Sequence, residues 1–219
     1  LAFTSVLFSS ADIFLMPLSG RGEPPPFISG VRSERVTSCS SKGSVLAYEV
    51  HEPDTQNDIW FLSMKGSRKP EAFRQMPSRE VYPQLTEDNA CIAYQTDESG
   101  RSEIYVSNFP QGDSQLKASI AGGVAPRWGN SEKELFYVEG NTLMSVEITR
   151  TENRLSVQPP VRLFDAGRIA VRLLGEYQEP AYAVDRNGER FVMVVQKGNS
   201  SVMMVQNWSE QSLRKTPAN

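Results

Sequence analysis

Histidine is almost missing from this 219-residue chain, which has only His51. A serine-type triad would need that residue as its base, beside a serine and an orienting acid. No Gly-x-Ser-x-Gly elbow occurs, and Asp54, the nearest acid, shares a loop with His51. His51 therefore reads as a solvated surface residue, and no catalytic residue is expected. Cysteine is nearly as scarce. Cys39 and Cys91 are too few and too far apart for a zinc cluster. They fall at different places in the repeat described below, so they read as buried free thiols rather than as a bridge. Basic charge is not in excess: 23 Lys and Arg stand against 26 Asp and Glu, interspersed, for a formal charge of −3. A nucleic-acid binder shows a basic field or stripe, so this balance argues against nucleic acid as a partner. No stretch approaches the roughly 20 apolar residues needed to cross a bilayer, so no membrane insertion is expected. The opening LAFTSVLFSS lacks a basic leader and is not expected to be a signal peptide; it reads as a cut inside a structural unit. Phosphate cradles are missing too, since Ala121-Gly122-Gly123-Val124 links two expected strands and opens no helix. Asp97-Glu98-Ser99-Gly100 is rich in oxygen but departs from the calcium-loop pattern, and it reads as a hairpin turn. No metal and no cofactor are expected.

What the chain does have is a repeat. With 39% hydrophobic and 22% charged residues the composition is that of an ordinary globular protein. Val45-Leu46-Ala47-Tyr48 leads to Asp58-Ile59-Trp60-Phe61, and Cys91-Ile92-Ala93-Tyr94 leads to Glu103-Ile104-Tyr105-Val106. Leu1-Ala2-Phe3-Thr4 with Asp12-Ile13-Phe14-Leu15 opens the series; Leu135-Phe136-Tyr137 with Leu143-Met144, then Phe191-Val192-Met193 with Val202-Met203, continue it. Asp12 to Asp58 is 46 residues, Asp58 to Glu103 is 45 and Tyr48 to Tyr94 is 46. A period of roughly 40–50 residues carrying several short strands is the signature of propeller blades. Four-residue turns precede each apolar strand, at Ser40–Gly43, Thr86–Asn89, Asn130–Lys133 and Asp185–Gly188, with residues that tolerate hairpin geometry. The fold class expected is all-β: a β-propeller of about five four-stranded blades, the first and last incomplete, forming part of a larger propeller. The blades would be 1–29 (partial), 30–75, 76–120, 121–166 and 167–208 (partial), with 209–219 a flexible tail. Expected strands include 12–18, 25–29, 34–40, 45–50, 58–64, 70–74, 114–120, 161–166 and 179–184. Residues 168–174 read as either a helical turn or an extra strand. Recurrence of Asp12, Asp58 and Glu103 at one place in each unit marks them as structural.

The units resemble those of TolB-like, WD-repeat-like bacterial propellers. The best copies are Tyr82-Pro83-Gln84-Leu85 through Tyr94, Ala125-Pro126-Arg127-Trp128, and Val184-Asp185-Arg186-Asn187-Gly188. Ser38-Cys39-Ser40 departs from the family's Trp-Ser, and the fourth unit lacks the Asp-Gly turn. More narrowly, Asp58 to Trp208 is similar to the C-terminal propellers of bacterial membrane-anchored serine/threonine kinases. That resemblance implies an extracytoplasmic location, on the periplasmic or cell-surface side, and a non-catalytic sensor or protein-interaction module of a larger bacterial protein. Two alternatives stand beside it. One is the propeller that gates a prolyl-oligopeptidase-type serine peptidase; the other is a TolB-like periplasmic scaffold.

In a propeller, the loops between blades and those joining second to third strands gather around the mouth of the channel. Here they hold Arg32, His51, Arg79, Arg101, Arg168, Arg172 and Tyr177, with Tyr82 and Arg127 on inner strands nearby. Arginine and tyrosine combine apolar area with hydrogen bonding and are enriched at binding hot spots. The expectation is a basic, aromatic-dotted mouth for a peptide or acidic ligand, the partner being a peptide, a protein or a small ligand.

Overall fold

The apolar runs are continuous where a half-buried strand would alternate, which implies sheets covered on both faces. A computed structural model describes residues 1–7, 10–17, 19, 23–40, 43–129, 132–151, 154–169, 171–174, 179–185, 187–195 and 201–206. Five antiparallel sheets follow one another along the chain. The first holds β1 (Ala2–Leu7), β2 (Ser10–Leu15) and β3 (Pro26–Ile28). β4 (Ser33–Cys39), β5 (Val45–Glu52), β6 (Gln56–Ser63) and β7 (Pro70–Arg74) make the second. The third has β8 (Glu80–Leu85), β9 (Cys91–Thr96), β10 (Glu103–Asn108) and β11 (Gln115–Lys117). In the fourth, β12 (Val124–Gly129), β13 (Glu134–Glu139) and β14 (Thr142–Thr151) are joined by β15 (Arg154–Val157) and β16 (Val161–Asp165), both paired to β14. The fifth comprises β17 (Val171–Arg172), β18 (Tyr182–Val184), β19 (Arg190–Val195) and β20 (Ser201–Gln206).

Each hydrophobic cluster is built between consecutive sheets. Ala47, Ile59 and Phe61 of the second meet Leu85, Ile92, Tyr94 and Phe109 of the third. Ala93, Ile104 and Val106 meet Leu135, Tyr137 and Val146 of the fourth. Phe136, Val138 and Leu143 then meet Tyr182, Phe191 and Met193 of the fifth. All six residues of β9 are buried, because the strand lies mid-sheet with a sheet on either side. Aromatic edges lock two of these seams: Phe61 meets Phe109 at 4.8 Å and 73°, and Phe136 meets Phe191 at 5.0 Å and 88°. Polar stitches cross them as well. The Trp128 indole donates back to Gln84 O (2.9 Å), and the Leu85 amide donates to Ser38 Oγ (3.1 Å).

The turns use one geometry. Thr86 N donates to Cys91 O and Asn89 N to Thr86 O, and Asp185 with Gly188 repeats the pattern at Arg190. It places a left-handed residue fourth in the turn, at Gly43, Asn89 and Gly188, and Glu132 is left-handed in the fourth unit, with φ of 61°, 57°, 73° and 68°. In the fourth unit, where the Asp-Gly pair is lacking, Glu132 takes the strained conformation itself.

The result is an all-β, multi-sheet fold that resembles a propeller, but the sheets do not close into a ring. No strand pairing among the described residues joins the first sheet to the fifth. Two elements depart from the expected four strands per blade. β14 runs on past the sheet and folds back as a hairpin with β15, whose Leu155 and Val157 pack onto the seam between the third and fourth sheets. Residues 168–174 satisfy both readings: a short 3-10 turn at Ala166–Ile169, then β17 paired to β19 ahead of β18. The strand expected over 12–18 is Ser10–Leu15, and that over 114–120 is the shorter Gln115–Lys117. Both cysteines are free as expected, but only Cys91 is buried. Cys39 is exposed as the last residue of β4, a strand whose other side chains are mostly only half-buried. The expected tail at 209–219 lies outside the described residues.

Candidate functional site

The inner strands of successive sheets adjoin, β4 beside β8, β8 beside β12 and β12 beside β18, the edge strand of the fifth sheet, so they line one axis. Two of them carry a β-bulge at the same repeat position. Register shifts between Val81 and Gln84, and between Val124 and Arg127. Inside each bulge a non-glycine residue is left-handed: Tyr82 at φ 55° and Ala125 at φ 59°. A bulge frees a backbone amide from its ladder, and a buried amide needs a partner. The preceding sheet supplies it. Tyr82 N donates to Glu49 Oε1 at 2.8 Å, and Ala125 N donates to Gln95 Oε1 at 3.2 Å. Glu49 and Gln95 follow Tyr48 and Tyr94, so the clamp repeats with the period. The Tyr182 hydroxyl, from the fifth sheet, donates to Ala125 O at 2.7 Å. The axial backbone is thus held from both sides.

A mixed charge cluster gathers on this frame. Arg35, Arg79, Glu49 and Glu179 all act electrostatically on Tyr82. Burial pushes the Tyr82 hydroxyl and the Glu49 carboxyl up; Arg35 and Arg79 partly offset the rise at Glu49. Arg127 is placed beside Tyr82 and Tyr182, and burial lowers the pKa of its guanidinium.

Of the residues expected at the mouth, Arg79, Tyr82 and Arg127 come together. Asp97 helps to place the first of them, since Arg79 N donates to Asp97 Oδ1 at 2.9 Å. Among the described residues, no identified contact joins Arg32, His51, Arg101, Arg168 or Arg172 to the cluster. His51 is exposed near the end of β5, and Arg32 pairs with Glu52 at 2.8 Å. Arg101 is committed to structure, with Nε 2.6 Å from Glu103 Oε1 and Nη2 donating to Ile120 O at 2.7 Å. Arg168 and Arg172 are exposed on the 3-10 turn and on β17. Tyr177 lies outside the described residues. Arg35, Glu49, Glu179 and Tyr182 join the site without having been expected there. Glu49 was legible, since it matches Gln95 across the 46-residue period; the others are placed only by packing. Among the described residues no group of three or more His, Cys, Asp or Glu is arranged to hold a metal ion. The Asp97–Gly100 segment is a hairpin turn, with Gly100 N donating to Asp97 O (2.8 Å) and Glu98 paired to Arg74 (2.9 Å).

No protein-family model matches the chain, and no curated protein matches it. Solved structures do match. TolB from Acinetobacter baumannii is 14% identical with a TM-score of 0.63, over 94% of this chain and 48% of that one. A puromycin-hydrolyzing peptidase of Mycobacterium tuberculosis is 13% identical with a TM-score of 0.62, over 95% of this chain and 37% of that one. A putative TolB from Agrobacterium tumefaciens is 15% identical with a TM-score of 0.57, over 74% and 61% respectively. The chain therefore spans less than two thirds of each of these proteins. What is shared at such identities is the fold, which is TolB-like and propeller-like.

Proposed function

We propose that this chain is a non-catalytic, peptide- or protein-binding portion of a propeller in a larger extracytoplasmic protein, a scaffold of the TolB type. The observation that supports the reading is the electrostatic proximity of Arg35, Arg79 and Arg127 to Tyr82, on inner-strand backbone clamped by the neighbouring sheets, which in this reading lines an axial mouth. In this reading the blades are 1–29, 30–75, 76–120, 121–166 and 167–208, with 209–219 a tail, and chain outside these residues completes the ring. A propeller with such a mouth presents a rigid ring of side chains to an extended segment.

The match to the puromycin-hydrolyzing peptidase, over 95% of this chain, supports a second reading in which the same mouth admits peptides to an attached hydrolase. A membrane-anchored kinase parent, implied by the Asp58–Trp208 resemblance, rests on the repeat motifs alone.

Panning a random-peptide library on the purified chain tests the mouth. The expected outcome is a set of peptides whose binding is lost in Arg35→Glu/Arg79→Glu, a variant that keeps its circular dichroism. Selected peptides that bind this variant as well as the parent would overturn the assignment. Scaffold and gate separate on the coding sequence downstream: a serine-hydrolase domain with a Gly-x-Ser-x-Gly elbow makes the mouth a filter.

A further inference from the structure

Among the described residues, most arginines that approach a carboxylate do so near the surface, the less exposed Arg74 with Glu98 being the exception. Arg32, Arg101, Arg150 and Arg190, each roughly half exposed, pair with Glu52, Glu103, Asp88 and Asp185. Arg127 is arranged differently. It sits on an inner strand directly after the Ala125 bulge, between Tyr82 of the third sheet and Tyr182 of the fifth. Among the described residues its side chain makes one hydrogen bond, from Nη1 to the carbonyl of its own neighbour Pro126, at 3.0 Å. Among the described residues no carboxylate pairs with it. Desolvating a guanidinium without a counter-ion is unfavourable, and the fold retains the arrangement although acids are common elsewhere.

The surroundings sharpen the chemistry. The Tyr182 hydroxyl is used up on Ala125 O, whereas the Tyr82 hydroxyl makes no hydrogen bond among the described residues. Glu49, the nearest clamp acid, spends Oε1 on the Tyr82 amide, and its burial favours the neutral form. Arg35 and Arg79 add positive potential at the rim. A guanidinium offers a planar fork of parallel N–H donors, whose natural complement is a group with two coplanar acceptor oxygens.

Resting on the mouth reading, we propose that Arg127, helped by the Tyr82 hydroxyl, is an anchor for a single carboxylate of the bound peptide. That carboxylate can be the chain's C-terminus or an aspartate or glutamate side chain. The chemistry is the same, and the two sources are separable by experiment. Arg35 and Arg79 act at longer range, as steering charges on the rim.

The test is calorimetric titration of the full chain with three pentapeptides: pentaalanine with a free C-terminus, its C-terminal amide, and the amide with a central glutamate. The free acid is expected to bind at least tenfold more tightly than its amide. Recovery of that tenfold by the central glutamate would identify a side-chain source; no recovery would identify the terminus. Arg127→Met should abolish the difference between acid and amide, Arg127→Lys should retain a part of it, and Tyr82→Phe should weaken acid binding several-fold. Thermal midpoints keep the result readable. Removing an unpaired, desolvated charge should leave the midpoint of Arg127→Met unchanged or raised, whereas a purely structural arginine would lower it. Equal binding of acid and amide, or an unchanged acid preference in Arg127→Met, would overturn the proposal. If library peptides still depend on Arg35 and Arg79 while tolerating Arg127→Met, the carboxylate anchor falls and the mouth stands. If peptide binding depends on none of these residues, both fall.

Discussion

Substituting Glu80 by glutamine should remove a defined part of the chain's pH dependence. Glu80 begins β8 with no exposed surface, and it faces Asp58 of the second sheet, equally buried. It accepts from Ser78 Oγ at 2.5 Å and from Met76 N at 3.3 Å, with Thr96 Oγ1 at 3.5 Å. Thr55 donates to Asp58 Oδ2 at 2.7 Å, while the buried Asp58 Oδ1 has no partner among the described residues. Burial first, and the Asp58 charge to a lesser extent, push the Glu80 carboxyl from an ordinary 4.5 to about 7, against the lowering pull of the hydrogen bonds from Ser78 and Met76 and, more weakly, of Arg74. The folded chain therefore holds a proton between pH 4.5 and 7 that the unfolded chain has released. This contribution is fully present below 4.5, falls as pH rises and is gone above about 7. A difference of that size corresponds to about 3 kcal/mol. Glutamine cannot ionise, so the stability gap between Glu80→Gln and the parent should move by about that amount in the variant's favour from pH 4.5 to 8, roughly 1 M in urea midpoint. Urea titrations at half-unit pH intervals measure it. Because burial is the larger cause, Asp58→Asn should narrow the window and not abolish it. Parallel midpoint curves for Glu80→Gln and the parent would refute the reasoning.

Two further substitutions probe the frame of the site. Glu49→Leu leaves the Tyr82 amide buried and unpaired, for a loss of about 1–3 kcal/mol in urea unfolding. Glu49→Gln keeps an acceptor and should stay within about 1 kcal/mol of the parent; equal losses would show that the amide is satisfied some other way. Glu132 stands at φ 68° with a buried, unpartnered Oε1, and burial together with Asp88 and Glu87 raises its carboxyl to about 7. Asparagine accepts the left-handed conformation more readily, so Glu132→Asn should stabilise the chain by about 1 kcal/mol. The gain in thermal midpoint should grow as pH rises from 4.5 to about 7, where the unfolded chain has released the proton that the folded carboxyl still holds, and level off above that. A lower midpoint at pH 8 would contradict this.

The period, the strands and the turns were legible in the chain because each is a local property. Continuous runs such as Cys91-Ile92-Ala93-Tyr94 announce strands covered on both faces. Gly43, Asn89 and Gly188 announce left-handed turn residues, whereas Glu132 at φ 68° was not legible as one because no glycine or asparagine marks it. Recurrence at 46 residues did the rest. The extra hairpin of β14 and β15 was not legible, since a single apolar stretch does not reveal where a strand turns back. The site was legible only in part. Arg79, Tyr82 and Arg127 could be placed near the axis by blade position, but Arg101 could not be recognised as spent on Glu103 and Ile120.

The sequence by itself determined that this chain would form successive short-stranded sheets, because backbone preference and hydrophobic period act between near neighbours. Only the tertiary structure decided which groups meet at the axis and which are left without partners. The Tyr82 amide reaches Glu49 across 33 residues, the Ala125 amide reaches Gln95 across 30, and the Tyr182 hydroxyl reaches Ala125 across 57. Such bonds exist only once neighbouring sheets have packed. Whether Arg127 finds a carboxylate or Glu80 meets another acid is likewise settled by that packing.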